Sequence, residues 1–233
     1  MVDSFTTRRF VEKCQNVLNF SDNRRIDEYY YTSLPFCILD AVFSIGAHYR
    51  STEKVVERYA KFCGMNRYTF ENQTDICTVQ RFIEDFEKEE TIGLFAKNVL
   101  CNRQRTSPRN GILKAEASYQ IAKILHGYCV DTLTDFRNLS EEKLTEVSKQ
   151  LLAVRGQGSG IMLRYFIMLT GDDDTCKPDR HIRCFLEPIT GNDITNLEIQ
   201  ELFEKAISSL RESHPHLTIR WLDNLIWNYQ RKI

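Results

Sequence analysis

Three glycines at alternate positions stand just before an apolar stretch of helical character at residues 161–169. Glycine leaves the neighbouring backbone N–H groups uncovered and permits the positive φ angles of a tight turn. At the start of a helix such N–H groups add to the positive end of the helix dipole, so that they form a site for an anion such as phosphate. The residues predicted to bind phosphate are Arg155, Gly156, Gln157, Gly158, Ser159 and Gly160.

One carboxylate, Asp179, lies a helix and a turn beyond these glycines, directly after Lys177 and Pro178. The proline fixes the turn, and the short helical stretch that follows it carries His181. A carboxylate in this position can act as a general base or stabilise a positive charge. It can also be the N-cap of the helix, and the two roles are compatible.

The stretch from Leu151 to Phe185 resembles the helix-hairpin-helix and Gly/Pro-Asp region of the DNA glycosylases related to endonuclease III. Upstream, Pro35 to His48 resembles that family's early buried helix and the loop that ends it, and Gly111 to Leu125 resembles its K-A-E helix. The three blocks occur in the family's order. With their connections they run from about Asp27 to Leu186, so the resemblance covers most of the chain.

The resemblance implies an all-α fold of two helical lobes, with a helix-hairpin-helix motif and a DNA groove between the lobes. Residues 1–26 would form an N-terminal helix that packs with the C-terminal lobe. Residues 27–151 would form one helical lobe, and residues 152–233 would form the hairpin and the C-terminal lobe. The hydrophobic periodicity is helical along the chain, and no stretch has the alternation of a strand.

The function implied is that of a monofunctional DNA N-glycosylase, which flips a damaged, mismatched or modified base out of the duplex and excises it by hydrolysis. Asp179 matches the family's catalytic aspartate, which acts on the positive charge that develops on the sugar. Relatives that also cleave the strand have a lysine where this chain has Gly160, and glycine cannot form a Schiff base. Two alternatives remain: a glycosylase/lyase that uses Lys177, and a DNA-binding protein that has lost the reaction.

A side chain from the loop after the first buried helix fills the gap left by the flipped base in the resembled family. The family's glutamine falls on Ala47, so the candidates for this wedge are the next three residues, His48, Tyr49 and Arg50. Each can stack on a base or reach its edge, although all three could equally be loop residues without a role. Asp40 is the one charge in the apolar stretch 36–45, where it either reaches the edge of a base pocket or is a partnered buried carboxylate.

The chain is nearly neutral, with a net charge of −1, but its basic residues are unevenly distributed. No acidic residue occurs from Thr91 to Ala115, which contains five basic ones: Lys97, Arg103, Arg105, Arg109 and Lys114. Arg109 and Lys114 are therefore candidates for phosphate contacts, together with Lys177 and His181 beside the aspartate. For any single one of these residues, a solvated surface position is the alternative.

The eight cysteines include no C-x-x-C pair, and only Cys184 follows Asp179. We therefore expect no iron–sulfur cluster, which several relatives bind through four closely spaced cysteines at that place. The hairpin carbonyls could hold a monovalent cation, and no other metal is expected. No apolar run approaches the roughly 20 residues that span a bilayer, and the N-terminus lacks a signal-peptide core. We expect a cytoplasmic monomer, nucleoid-associated if bacterial, that binds double-stranded DNA.

Overall fold

The computed structural model describes residues 2–21, 30–68 and 77–232. Within these ranges the regular structure is helical throughout, with two isolated β-bridges and no strand, so the predicted all-α class is confirmed. The helices are α1 (Ser4–Val17), α2 (Leu34–Ser44), α3 (Tyr49–Phe62), α4 (Val79–Glu87), α5 (Ile92–Asn98), α6 (Lys114–Gly127), α7 (Leu133–Arg137), α8 (Glu141–Ala153), α9 (Ile161–Leu169), α10 (Arg180–Thr190), α11 (Asn196–Leu210) and α12 (Ile219–Gln230). None of these helices is long and apolar enough to cross a bilayer.

Side-chain caps explain where several helices begin. Asp3 accepts a hydrogen bond from the Thr6 amide at the start of α1, and Thr195 forms a reciprocal capping box with Glu198 at the start of α11. Such caps satisfy amides that have no partner inside the helix. Helix α3 begins at Tyr49, directly after His48, without a hydrogen bond from a capping side chain. The predicted domain boundary between residues 26 and 27 lies outside the described residues.

The structure divides into two compact units. Unit 2 comprises Arg25–Gly171, and its central element is α2, which packs against α3, α6 and α9. The ten residues of α2 from Leu34 to Phe43 are all buried, in agreement with the expectation that this apolar helix lies inside the core. Because α9 packs against α2 and α8, the glycine-spaced loop belongs to this unit. The boundary therefore falls after Gly171 and not after residue 151, where the sequence placed it.

Unit 1 comprises Met1–Arg24 and Asp172–Ile233, so that it joins the two ends of the chain. Helix α1 packs against α10 and α11, and α12 packs against α10. The core contains three phenylalanines in contact: the Phe10 ring meets that of Phe185 edge-on at 6.1 Å and that of Phe203 at a tilt at 5.2 Å, measured between centroids. This packing fixes α10, the helix that begins directly after Asp179.

Candidate functional site

The glycine loop, residues 154–160, is a turn that connects α8 to α9. The Gln157 amide donates to the Val154 carbonyl at 3.0 Å, and the Gly160 amide donates to the Gln157 carbonyl at 3.1 Å. Gly160 has a φ of +74° and is the N-cap of α9. This left-handed conformation favours glycine, which explains why the helix begins where the glycines end.

Two amides of the glycine loop are exposed and available to a ligand. Gly158 and Ser159 are exposed, and their amides donate no hydrogen bond within the part of the chain that the structure describes. The first-turn amides of α9 follow directly, and a helix offers no internal partner to its first N–H groups. No heavy atom lies within 4 Å of the position that a Cβ of Gly158 would occupy. The loop therefore presents donors at the positive end of α9, as an anion site requires.

Gly156 brings a second segment against the glycine loop. A Cβ at this position would lie 2.4 Å from Cβ and 2.5 Å from Oγ1 of Thr106, and the φ of Gly156 is +91°. Only glycine permits so close an approach. Thr106 belongs to the basic loop, residues 101–113, which is closed by a β-bridge between Arg105 and Leu113. The basic loop therefore packs directly on the glycine loop.

The basic loop also contacts the start of α3. Asn102 Nδ2 donates to Ser51 Oγ at 3.4 Å, and Arg58, further along α3, donates to the Cys101 carbonyl at 3.3 Å. Three segments of unit 2 are thus joined by direct contacts. Their exposed basic side chains are His48, Arg50, Arg103, Arg105, Arg109 and Arg155. Exposed basic side chains on segments that also present unbonded amides are what phosphate backbones bind.

Asp179 is the N-cap of α10, in unit 1. Its Oδ1 accepts hydrogen bonds from the His181 amide at 2.8 Å and from the Ile182 amide at 3.3 Å. Its own amide donates to the Lys177 carbonyl at 2.7 Å, so the chain turns tightly through the buried Pro178. The side chain is partly exposed. The predicted capping role is therefore confirmed, and the chemical role stays a prediction.

A second carboxyl group, Asp223 on α12, lies beneath this turn. Its Oδ2 accepts the Lys177 amide at 2.8 Å, and the residue is only 5% exposed. Burial, followed by the negative charge of Asp179, raises the pKa of Asp223 to about 7. The Lys177 amide and the charges of Lys177 and Arg220 oppose this shift. Two acidic residues therefore share the site, in different environments.

His181 and Lys177, both predicted DNA contacts, lie within two residues of Asp179 and are partly exposed. The His181 ring meets the ring of Trp227 edge-on, with centroids 6.0 Å apart, and the Arg231 guanidinium lies over Trp227 at 4.6 Å. Burial lowers the pKa of His181, and neighbouring cations including Arg231 lower it further. Cations and an aromatic ring thus surround the start of α10.

The model of one protein family matches residues 8–231, which is nearly the whole chain. The chain belongs to the family described as a domain of unknown function, DUF8548. No curated protein and no solved structure matches it.

The structure corrects one predicted phosphate contact of the DUF8548 domain. Lys114 is 3% exposed, and its Nζ donates to the carbonyls of Phe43 at 2.9 Å and Ile45 at 2.7 Å. These carbonyls lie at the end of α2, where helix carbonyls lack internal partners. Burial lowers the pKa of Lys114 to about 8. Lys114 is therefore a structural cap and does not reach a phosphate.

Gln157 is the second correction. Its side chain is 2% exposed and its amide is already bonded within the loop, so neither reaches a phosphate. Gln157 directly follows Gly156, the residue at which the glycine loop meets the basic loop. Among the described residues, no hydrogen-bond partner is found for Gln157 Oε1 or for Thr106 Oγ1, and both atoms are buried.

Asp40 and Tyr49, which were predicted as wedge or pocket residues, belong to unit 2, where Asp40 is buried and Tyr49 is partly buried. Asp40 is 1% exposed, and its Oδ2 accepts from the hydroxyls of Tyr31 at 2.8 Å and Tyr165 at 3.1 Å. It is the partnered buried carboxylate of the two alternatives. Burial, followed by the negative charge of Asp40, raises the pKa of Tyr49 well above its ordinary value. His48 and Arg50 are exposed and stay candidates for the wedge.

Sequence reasoning missed Asp223, although a signal for it exists. Ile219, Leu222 and Ile226 recur at helical spacing and are buried on α12. Asp223 shares this face, and a carboxylate on the buried face of an amphipathic helix needs a partner. The helical pattern reveals the burial, but only the folded structure shows that the partner is the turn before Asp179.

Proposed function

We propose that this protein is a monofunctional DNA N-glycosylase of the helix-hairpin-helix Gly/Pro-Asp type. The observation that carries the proposal is the contact of Thr106 with Gly156. It joins the exposed amides of the glycine loop to a segment that contains cations and no acidic residue. Double-stranded DNA is the partner that this combination suits, because phosphates take both charge and backbone hydrogen bonds.

The glycine loop would bind one phosphate through the amides of Gly158 and Ser159 and the first turn of α9. Arg155 and Arg109 would contact neighbouring phosphates, because both are exposed. Such contacts fix the position of the protein without reading the sequence. His48 or Arg50 would fill the space of the flipped base.

Asp179 would stabilise the positive charge that develops on the sugar when the base leaves, or activate the attacking water. The cap to α10 orients this carboxylate through Oδ1. Lys177 and His181 would hold the phosphates that flank the reacting sugar. A simple hydrolysis is favoured over strand cleavage, because Gly160 supplies no amine.

The one cofactor that we expect is a monovalent cation at the glycine loop. The carbonyl oxygens of the glycine loop would hold a monovalent cation, because hard cations take oxygen ligands. The buried Gln157 Oε1 and Thr106 Oγ1, for which no partner is found among the described residues, are further oxygen atoms beside this loop. Such an ion would neutralise part of the negative charge of a bound phosphate. We expect no iron–sulfur cluster, and we expect the protein to act as a monomer in the cytoplasm, or at the nucleoid of a bacterium.

The test is excision on a panel of duplexes that contain uracil, mismatched, oxidised, alkylated or hypermodified bases. Abasic product is revealed by cleavage in alkali, and a duplex without a lesion is the control. We expect an abasic product from at least one member of the panel, and none when Asp179 is replaced by Asn. Binding without product across the panel would support the alternative of a DNA-binding protein that has lost the reaction.

A further inference from the structure

We infer that Asp223 is a positioning residue for Asp179, which holds the turn that carries the catalytic carboxylate and sets the negative charge around it. This inference rests on the proposed function and deepens it, because it names a second acidic group in the same reaction. The group acts through the turn and its charge, and it does not touch the substrate.

The contact that supports this role is a hydrogen bond from the turn before α10 to a side chain of α12. Asp223 lies inside α12, and its Oδ2 accepts the Lys177 amide at 2.8 Å. The Lys177 carbonyl in turn accepts the Asp179 amide at 2.7 Å. Asp223 therefore binds Lys177, the first residue of the turn, and the turn ends at Asp179, which carries the catalytic carboxylate. Packing of α12 on α10 holds both ends of this connection in place.

The charges around Asp223 come from three directions. Asp179 faces it from the start of α10, Lys177 faces it from the turn, and Arg220 faces it from α12 itself. The Arg220 guanidinium also lies 4.0 Å from the Asp173 carboxylate, whose negative charge offsets part of the effect of Arg220 on Asp223. Burial and the negative charge of Asp179 outweigh the two cations, so the pKa of Asp223 rises to about 7.

The sign of the effect on excision follows from this balance. Below about pH 7 Asp223 is neutral, and Asp179 carries the only negative charge of the pair. Above that pH Asp223 ionises, and a second negative charge joins the first. Since the sugar becomes positive only in the transition state, the added charge stabilises the transition state more than the bound substrate. Excision should therefore become faster as the pH rises.

The decisive experiment compares pH profiles of the single-turnover excision rate at saturating protein. The rate of the unmodified protein should rise about tenfold across neutral pH, the factor that corresponds to one pKa unit of interaction between neighbouring charges. Asp223→Asn should lose this rise and stay at the low-pH rate, because asparagine has the shape of the neutral acid and keeps an acceptor for the Lys177 amide. A profile that the substitution leaves unchanged would overturn the inference.

A second measurement does not depend on activity. The NMR shift of the Lys177 amide should titrate with a midpoint near pH 7 in the unmodified protein, and the titration should disappear in Asp223→Asn. His181→Gln should retain it, which excludes the histidine as its origin. If no duplex is processed, the proposed function fails, and this titration alone decides whether Asp223 controls the turn. An amide that does not titrate would overturn the inference.

Discussion

Replacing Asp223 by asparagine should make the protein more stable, and increasingly so as the pH rises. The cause is the raised pKa of the buried carboxyl group, from an ordinary value of 3.8 to about 7. A raised pKa in the folded state means that folding favours the protonated form. The stability that the protonated Asp223 carboxyl group contributes is therefore fully present below its pKa in the unfolded state. It is lost as the pH rises through its pKa in the folded state. Asparagine has no proton to lose and avoids this loss.

The magnitude follows from the linkage of protons to folding. Each pKa unit corresponds to about 1.4 kcal/mol, so a shift of roughly three units costs about 4 kcal/mol at pH values above the folded pKa. At about pH 5.5 the cost is only about 2 kcal/mol, because the folded carboxyl group is still protonated there. The advantage of Asp223→Asn over the unmodified protein should therefore grow by about 2 kcal/mol between about pH 5.5 and about pH 8.

The assay is urea unfolding followed by far-ultraviolet circular dichroism at several pH values. The free energy of unfolding comes from the midpoint and slope of each curve. Asp173→Asn is the matched control, because it is the same substitution at a partly exposed residue. The Asp173 carboxylate lies 4.0 Å from the Arg220 guanidinium. The effect of Asp173→Asn should be small and should not grow with pH. A difference between Asp223→Asn and the unmodified protein that stays constant with pH would refute the raised pKa.

Three further predictions concern the glycine loop, the basic segment and the reaction. Gly158→Val should leave the thermal midpoint unchanged and weaken binding to all duplexes alike, by about tenfold, as for two lost hydrogen bonds. A change of base preference in this variant would contradict the phosphate site. Gly156→Val, in contrast, should prevent folding. Lys114→Met should lower the free energy of unfolding by about 2 kcal/mol, because buried carbonyls lose their donor, while duplex affinity measured by fluorescence anisotropy stays the same. Incubation with substrate and borohydride should give no covalent adduct, whereas an adduct that Lys177→Ala abolishes would establish a lyase.

Local patterns in the sequence were sufficient for the helices and for the glycine loop. Helix α9 begins at Ile161 and ends at Leu169, as the apolar stretch between glycine and threonine predicted. The caps at Asp3 and Thr195 are also local features, because capping depends on residues three positions apart. The basic loop was also recognisable, since the absence of acidic residues is a property of the sequence itself.

Contacts between distant residues could not be predicted in this way. Lys114 belongs to a basic segment, and nothing in that segment shows that its amine lies beside carbonyls 69 and 71 residues away. The domain boundary at Gly171 depends on the packing of α9 against α2, which no local pattern encodes. Long side chains such as lysine can be exposed or buried with the same local sequence, so only their partners decide the role.

The capping role of Asp179 determines which substitution can test its chemistry. Both amides at the start of α10 bond to Oδ1, so the cap does not require Oδ2. Asparagine caps helices about as well as aspartate, whereas alanine costs about 1 kcal/mol. Asp179→Asn should therefore keep the unfolding midpoint and leave the duplex affinity within a few-fold. It should abolish excision, because only the charge of the side chain is lost. Asp179→Ala should lose stability as well. If Asp179→Asn excised bases at the normal rate, Asp179 would be a helix cap and nothing more.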